Sequence, residues 1–367
     1  MKKSFDPDSA LLIVDSCFLR LLQGLPLNGK ALHEGLEALK SADIRLICAA
    51  MALWFTYCAA ASEPSAQKIL VGYSSPSGSQ AVVWLAKDSG SFQRQGLDVE
   101  LIFVPAGSKM TQALLAGDIK IAQVGGVAPI AARLRGAEVK IVAVSYNTLA
   151  LSLMSQKEIL SLADLRGKRI GITRFGSNSD FALRYILKKN GIAERDVIIL
   201  QFGDPPSTFA ALQAGTIQAS IMSYPTTAAA IKKGYKELVD MSQIGLEFPG
   251  TNVAVTDRLL QTQQDLVRRF LMGYVEGIQR FKTDEGFSKR VISKYLRVYD
   301  PVILDETYKV FAPKMAKIPY PTPAAIRLAL ESVSDDPRAR TARPEDFYDD
   351  SILRSLEKEG FFQQLYR

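Results

Sequence analysis

The side chains that could do chemistry in this chain are mostly hydroxyls and amides placed just after short apolar strands. Two such groups follow the strand-like runs 68–73 and 168–173. Their candidate ligand-binding residues are Ser75, Ser77, Gly78, Ser79, Arg174, Ser177 and Asn178. Hydroxyls, free backbone N–H groups and a guanidinium are suited to holding the oxygen atoms of a small anion. The alternative interpretation is two turns with helix-capping serines and a rim arginine.

Further candidates stand near the ends of other predicted strands. They are Ser108, Gly125, Gly126, Tyr146, Ser223, Tyr224 and Thr226. Ser108 opens a predicted helix, and the two glycines would permit either close backbone approach to a ligand or a tight turn. The ring of Tyr224 could form one wall of a binding site, whereas Tyr146 either contacts ligand or packs in the core.

Histidine and cysteine occur only near the start of the chain, as His33, Cys17, Cys48 and Cys58. If an N-terminal segment is removed near Ser62, the remaining protein has neither residue type. Ser-His-Asp and Cys-His catalysis, disulfides, and zinc held by histidine or cysteine are then excluded. The sequence also has no Walker A loop and no G-x-G-x-x-G fingerprint. We therefore expect no cofactor, no metal site and no catalytic residue, although carboxylate or Ser-Lys chemistry stays open.

Length and charge narrow the class of protein further. The chain has 367 residues, 47% of them hydrophobic, which is enough for two domains with their own cores. Its formal net charge is +7. Residues 1–61 contain six basic and six acidic side chains, so the excess, 39 basic against 32 acidic, belongs to 62–367. A mild basic excess suits an anionic ligand or surface. No basic helix, RNA motif or zinc finger accompanies it, so nucleic acid is not an expected partner.

An export signal is expected over 41–61. Residues 46–61 are uncharged and apolar but short for a membrane span, which needs ~20 residues. The run ends in three alanines before Ser62, an Ala-x-Ala cleavage pattern. We expect a periplasmic or otherwise extracytoplasmic protein, and the alternative is a short buried helix or an uncleaved anchor. Residues 1–40 would be an N-terminal extension, from a mis-assigned start or a long leader.

A duplicated unit gives the best indication of architecture. The strand-like runs 68–73 and 168–173 are each followed by a polar loop, a predicted helix and another strand. The first of these helices is predicted over about 80–92. Gly72 and Gly171 occupy matching places 99 residues apart. A second match, between 113–121 and 211–219, has an offset of 98. We predict two similar α/β lobes with mixed, mainly parallel sheets, and ligand loops at the carboxyl ends of the strands.

Several segments carry a family resemblance. They are 71–73 (VGY), 85–92 (LAKDSGSF), 96–100 (GLDVE), 116–119 (AGDI), 162–171 (LADLRGKRIG) and 344–350 (PEDFYDD). The chain, over about 67–360, resembles substrate-binding proteins of ABC importers in the nitrate/sulfonate/taurine class. The resemblance implies a type II periplasmic-binding fold, with one lobe over 67–148 and 253–367 and the other over 149–252. It also implies a ligand cleft between the lobes and closure about a hinge when ligand binds.

The same resemblance implies a function. The protein would capture a small anionic solute, such as a sulfonate, nitrate or carboxylate, and deliver it to an ABC-transporter permease in the membrane. A monomer is the default for this architecture. Two alternatives stay open: a biosynthetic enzyme on the same fold acting on a small metabolite, and a solute-sensing domain. Pyrimidine synthases of thiamine biosynthesis share the fold, but their cysteine-rich motif and key histidine are absent here.

Overall fold

The computed structural model describes residues 66–331, 333 and 336–367. The expected N-terminal extension (1–40) and signal peptide (41–61) lie outside these residues. In the described part of the chain, no helix combines the length and the hydropathy that crossing a membrane requires.

The strands of the described residues form two five-stranded sheets. In chain order they are β1 (Gln67–Tyr73), β2 (Leu97–Phe103), β3 (Ile121–Val124), β4 (Val139–Tyr146), β5 (Ser152–Ser155), β6 (Arg169–Ile172), β7 (Ile198–Gln201), β8 (Ala219–Met222), β9 (Lys236–Asp240) and β10 (Thr251–Thr256).

The two sheets share one topology, β2-β1-β3-β10-β4 in the first and β7-β6-β8-β5-β9 in the second. In each sheet one strand, β1 or β6, pairs in parallel with both neighbours. The strands β10 and β5 occupy equivalent places and run antiparallel to both of theirs. The duplicated architecture is confirmed, and each sheet is mixed because the chain enters β5 and β10 after crossing from the other sheet.

The helices flank these sheets. In chain order they are α1 (Ala81–Asp88), α2 (Ser91–Arg94), α3 (Gly107–Ala116), α4 (Val127–Leu134), α5 (Asn178–Lys189), α6 (Pro205–Gln213), α7 (Thr226–Lys232), α8 (Asp257–Thr262), α9 (Gln264–Thr283), α10 (Glu285–Leu296), α11 (Pro301–Phe311), α12 (Pro323–Glu331), α13 (Arg338–Thr341), α14 (Ser351–Lys358) and α15 (Phe361–Leu365).

The helix predicted over about 80–92 is two helices, α1 and α2. Gly90 separates them, because its φ of 74° lies in the left-handed region and ends the path of α1. The helix that follows the second polar loop, α5, begins at Asn178.

The matched glycines of the two repeats hold the same packing position. A Cβ on Gly72 in β1 would lie 2.5 Å from Met110 Sδ and 2.8 Å from Ile119 Cδ1. A Cβ on Gly171 in β6 would lie 2.6 Å from Ile217 Cδ1. Glycine thus lets the ends of the neighbouring apolar side chains approach these strands more closely than a Cβ would allow without their moving. The sequence repeat records a packing constraint present in both lobes.

The largest core lies around the first sheet, where the 20-residue helix α9 packs on α1. A Cβ on Gly277 would lie 2.8 Å from Ala86 Cβ, so the two helices meet at small residues. Trp84 is fully buried in α1 and stacks on Tyr295, with ring centroids 5.1 Å apart. The turn Gly78–Gln80, in the loop after β1, packs against α1 and α11.

Candidate functional site

A cleft lies where the loops that follow the strands of the two sheets face each other. It encloses about 720 Å3 of empty space, its solvent-open part included. The loops after β1, β3, β6 and β8 contribute to its lining. The segments that cross between the sheets, around 146–151 and 250–251, line it as well. A cleft of this size, built from both halves of the molecule, suits a small organic or inorganic solute.

Eight of the predicted site residues line the cleft. They are Ser75, Ser77, Ser79, Gly125, Tyr146, Ser177, Asn178 and Ser223. The other six lie outside the lining. They are Gly78, Ser108, Gly126, Arg174, Tyr224 and Thr226. That the eight bind a ligand stays a prediction.

The first polar loop holds its hydroxyls by local hydrogen bonds. Ser77 is 1% exposed, and its Oγ accepts the backbone N–H of Ser79 at 3.3 Å. The Ser79 hydroxyl also donates to Ser77 Oγ at 3.2 Å. The capping interpretation of these serines is therefore correct for the short 3-10 turn Gly78–Gln80, and the same side chains still line the cleft.

The second polar loop forms a tighter cluster of hydroxyls. The Oγ atoms of Ser177 and Ser179 lie 3.0 and 2.8 Å from Thr173 Oγ1 and 2.9 Å from each other. Ser179 Oγ accepts the N–H of Thr173 at 3.0 Å, while the Ser177 hydroxyl donates to the carbonyl of Arg174 at 2.7 Å. Each hydroxyl is thus fixed in place by its neighbours before any ligand arrives.

The helices α3 and α5, one from each lobe, begin at the cleft without a side chain capping them. The N-cap residues Ala106 of α3 and Ser177 of α5 make no side-chain cap hydrogen bond. By contrast, Asp204 caps α6, with its Oδ1 accepting the N–H of Ser207 at 2.8 Å. The first N–H groups of a helix lack intrahelical partners and carry a partial positive charge. The starts of α3 and α5, one from each lobe, can therefore donate to the oxygens of an anion.

Ala106 reaches its place in an unusual conformation. Its φ of 67° and ψ of 145° lie outside the regions that side-chain-bearing residues favour. Gly107 follows it and lines the cleft, with the α3 axis behind it. Backbone strain of this kind persists only where the surroundings enforce it, and it concentrates at functional sites.

The cleft lining carries no formal charge. Among the described residues that line it there is no lysine, arginine, aspartate or glutamate. Its one phenol, Tyr146, is 1% exposed, and burial raises the pKa of that phenol, so it stays neutral. Tyr146 Oη donates to the carbonyl of Val310 at 3.3 Å. Any anion held here is therefore held by dipoles and neutral donors.

The glycines Gly78 and Gly126 serve close packing beside the cleft. A Cβ on Gly78 would lie 2.6 Å from both Phe311 Cδ2 and Thr307 Cγ2 in α11. A Cβ on Gly126 would lie 2.6 Å from the carbonyl oxygen of Pro249, which accepts the Gly126 N–H at 3.0 Å. Neither glycine has a positive φ, so their role here is close packing and not a left-handed turn.

Tyr224 crosses to the opposite lobe. Its ring packs on the core of the first sheet, and its carbonyl oxygen accepts the N–H of Gly78 at 3.1 Å. Burial is the main reason that the pKa of Tyr224 rises to about 12, and Glu237, Asp240 and Glu306 add to the rise. The aromatic ring thus joins the lobes beside the cleft and does not form its wall.

The remaining three predicted residues lie beside the lining. Thr226 opens α7 and is 7% exposed. Ser108 Oγ and Arg174 Nε are both buried without a hydrogen-bond partner among the described residues. Arg174 contacts the hydroxyl cluster through its carbonyl oxygen, which accepts from the Ser177 hydroxyl.

Asn178 spans the cleft from its second-lobe helix. Its Oδ1 accepts the N–H of Val127 at 3.3 Å, and its Nδ2 donates to the carbonyl of Gly250 at 2.9 Å. A Cβ on Gly125 would lie only 2.5 Å from Asn178 Nδ2. The missing side chain at Gly125 is what admits the amide, so this residue pair holds the two sides of the cleft together.

Sequence reasoning missed part of the lining. The missed residues are Ser74, Gln80, Ala106, Gly107, Thr148, Leu149, Ala150, Leu151, Thr173, Ser179, Pro205, Ile221, Met222, Gly250 and Thr251. Ser74, Thr173 and Ser179 belong to the two polar loops, so the repeat was a usable signal for them. The apolar members of the crossing segment 148–151 resemble core residues in sequence and give no such signal. Within the described residues, no cluster of three or more His, Cys, Asp or Glu could hold a metal.

Two lobes of equivalent topology around a shared cleft define a two-lobed binding-protein fold. The chain belongs to the NMT1/THI5-like family, whose pattern matches residues 79–284. A candidate binding protein of Brucella abortus strain 2308 is 26% identical over 255 residues, 68% of this chain and 78% of that protein.

Solved structures share the fold. The alkanesulfonate-binding protein SsuA from Xanthomonas axonopodis pv. citri, bound to MOPS, has a TM-score of 0.65 and 20% identity, covering 80% of this chain and 98% of that one. The periplasmic nitrate-binding protein NrtA from Synechocystis PCC 6803 has a TM-score of 0.66 and 13% identity, covering 81% and 90%. The resemblance and the two-lobed fold predicted from the sequence are confirmed.

Proposed function

We propose that this protein is the extracytoplasmic solute-binding component of an ABC importer. It captures a small anionic solute, such as a sulfonate, nitrate or carboxylate, in the cleft between its lobes. The observation that carries the proposal is the meeting of two uncapped helix starts, Gly107 of α3 and Asn178 of α5, at one cleft. Solved structures with this fold include proteins that bind an alkanesulfonate and nitrate, which supports the solute class.

Binding would rely on neutral donors in a site shielded from water. Backbone N–H groups at the starts of α3 and α5 donate to the solute's oxygens. The Ser77 hydroxyl, which only accepts hydrogen bonds within its own loop, has its proton free to donate as well. Hydrogen bonds to a charged group contribute about 1.5–3 kcal/mol each. Four or five of them approach the roughly −8 kcal/mol that micromolar affinity requires. The apolar side chains Leu149, Leu151 and Met222 would contact the solute's non-polar part.

Capture would be coupled to closure of the lobes. We take the lobes as 67–148 with 253–367, and 149–252, with the crossings near 145–151 and 249–253 as the hinge. A solute that contacts both helix starts stabilises the closed form more than the open one. Two contacts join the lobes beside the cleft: the hydrogen bond from the Gly78 N–H to the Tyr224 carbonyl, and the ion pair between Lys232 and Asp300. Both contacts need the lobes to lie against each other. The closed monomer would then dock on a membrane permease.

Capture without chemistry distinguishes this proposal from a biosynthetic enzyme. The purified protein should show a ligand-dependent rise in thermal midpoint with ethanesulfonate, nitrate or acetate, compared with chloride at equal ionic strength. NMR of the recovered solute should find it unchanged after prolonged incubation. Turnover of the solute, or no rise with any of the three, would contradict the proposal. A sensing domain would bind in the same way but would not restore solute uptake to cells that lack this protein.

A further inference from the structure

The side-chain amide of Gln80 lies in the cleft in an orientation that its neighbours fix. Gln80 stands between the 3-10 turn after β1 and the first turn of α1, and it is 3% exposed. It lines the cleft between the two lobes. An amide can present either a donor or an acceptor to a ligand, so its orientation decides what it recognises.

Gln123, fully buried in β3, determines that orientation. Its Nε2 lies 2.8 Å from the backbone carbonyl oxygen of Gln80, and a carbonyl oxygen can only accept. This end of the Gln123 amide must therefore be the NH2 group. The same Nε2 lies 3.0 Å from Gln80 Oε1 and donates its second hydrogen there.

A second donor confirms the assignment. The backbone N–H of Ser74 also points to Gln80 Oε1, at 3.4 Å. With both neighbours donating to its oxygen, Gln80 must turn its own NH2 group the other way. Nε2 of Gln80 has no hydrogen-bond partner in the described part of the chain. Unlike Gln123 Oε1, it is not sealed from solvent. The amide therefore offers the cleft a donor only.

We propose that Gln80 is a specificity-determining residue of the cleft and that Gln123 is its positioning residue. The cleft accepts solutes whose head group turns acceptor-only oxygens toward Gln80, and it discriminates against head groups that place an N–H there. The inference rests on the proposed function, since it names how the same cleft selects its solute. Because no charged side chain lines the cleft, the choice of solute depends on pairing each donor with an acceptor. A solute that points an N–H at the Gln80 NH2 group would leave both buried donors without an acceptor.

Two probes of nearly constant shape exchange an acceptor oxygen for an N–H donor. They also differ in charge, since ethanesulfonate is an anion and ethanesulfonamide is neutral, so the change of their ratio in the variants carries the test. Ethanesulfonate presents three acceptor oxygens, whereas ethanesulfonamide replaces one of them by NH2. Calorimetric titration of the purified protein should give at least about tenfold tighter binding of ethanesulfonate. Gln80→Glu, which turns the donor into an acceptor and adds a negative charge, should reverse or abolish that preference, so the uncharged variant below separates the two effects. Gln80→Met, which keeps the length without charge, should reduce it and decides the matter if the glutamate variant does not fold.

Gln123→Leu tests the positioning role. Once Gln123 no longer donates to Oε1, the Gln80 amide can flip and accept from ethanesulfonamide, so the ratio of the two dissociation constants should fall toward one. A merely structural role would weaken both probes together and leave the ratio unchanged. Gln261→Leu, on the exposed face of α8, is the matched control and should keep the wild-type ratio.

The outcomes distinguish the two proposals. If the wild-type protein binds neither probe, the sulfonate class in the proposed function is contradicted and this inference falls with it. If the wild-type protein binds the probes equally, or if the Gln80 and Gln123 variants keep its ratio, the inference is overturned while the proposed function stands.

Discussion

The backbone N–H of Gly78 donates to the carbonyl oxygen of Tyr224 across 3.1 Å, and the two residues belong to different lobes. Tyr224 also places its ring on the first lobe's core. Nearby, Lys232 of α7 pairs with Asp300 at the start of α11. These contacts lie beside the cleft and join its two sides.

Gly78→Ala should disturb this junction. The new Cβ would lie 2.6 Å from Phe311 and Thr307, so α11 or the loop must move, and overpacking of this kind costs about 1–3 kcal/mol. We expect a lower thermal midpoint and weaker solute binding, measured by thermal unfolding and calorimetry. Gly286→Ala in α10, where the nearest side-chain atom lies at 3.5 Å, is the control; it should leave binding unchanged and should not lower the thermal midpoint, because alanine favours the helix. Wild-type affinity in Gly78→Ala would contradict a role for this junction in closure.

Asn178 variants should separate affinity from stability. Asn178→Ala removes the bridge between Val127 N–H and the Gly250 carbonyl and should weaken anion binding about tenfold. Asn178→Asp should weaken it further, because a carboxylate at the start of α5 repels an anion, although it favours the helix itself. Calorimetry and thermal unfolding measure the two effects. Asn190→Ala, at the far end of α5, should leave affinity intact. Tighter anion binding by the aspartate variant would contradict capture at this helix start.

Ser179→Ala should loosen the second hydroxyl cluster. The N–H of Thr173 loses the acceptor that it now has at 3.0 Å, and Ser177 loses a hydroxyl neighbour at 2.9 Å. We expect a loss of about 1 kcal/mol in the free energy of unfolding and several-fold weaker binding of ethanesulfonate. Denaturant titration and calorimetry measure these. Ser355→Ala in α14, far along the chain from the cleft loops, should not change affinity. If Ser179→Ala binds ethanesulfonate as tightly as Ser355→Ala and the wild-type protein do, the hydroxyl cluster does not contribute to binding.

The architecture was predictable because its signals are local and repeated. Gly72 and Gly171 mark equivalent strands, since each must admit an apolar side chain that a Cβ would obstruct. The polar loops after these strands were predictable from their composition, which is rich in serine and glycine. By contrast, Tyr224 looked like a ligand wall, and only the tertiary structure shows that its ring leaves the cleft for the opposite core. The orientation of Gln80 depends on Gln123, 43 residues away, and no local pattern encodes such a contact.

Acid should weaken the ion pair beside the cleft. Lys232 is the main cause that lowers the pKa of Asp300 below its ordinary 3.8, with the N–H groups of Ile303 and Val302 helping. Because the folded-state pKa is the lower one, the stabilisation is complete above the ordinary pKa and is lost as pH falls through the lowered value. Asp300→Asn should therefore reduce the dependence of unfolding free energy on pH below about pH 4.

Denaturant titrations across that range measure the effect. Lys233→Met removes a neighbouring charge outside the pair and should retain the wild-type pH dependence. If the unfolding free energy of Asp300→Asn depends on acid pH as that of the wild-type protein does, the Lys232–Asp300 ion pair does not stabilise the folded form.

The central claim is that a small anion is held between the two lobes by the starts of α3 and α5. The most direct measurement is a crystal structure of the protein grown with ethanesulfonate. We expect sulfonate oxygens within hydrogen-bonding distance of backbone N–H groups at Gly107–Ser108 and at Asn178–Ser179. Ethanesulfonate bound elsewhere, or held in the cleft by only one lobe, would contradict it.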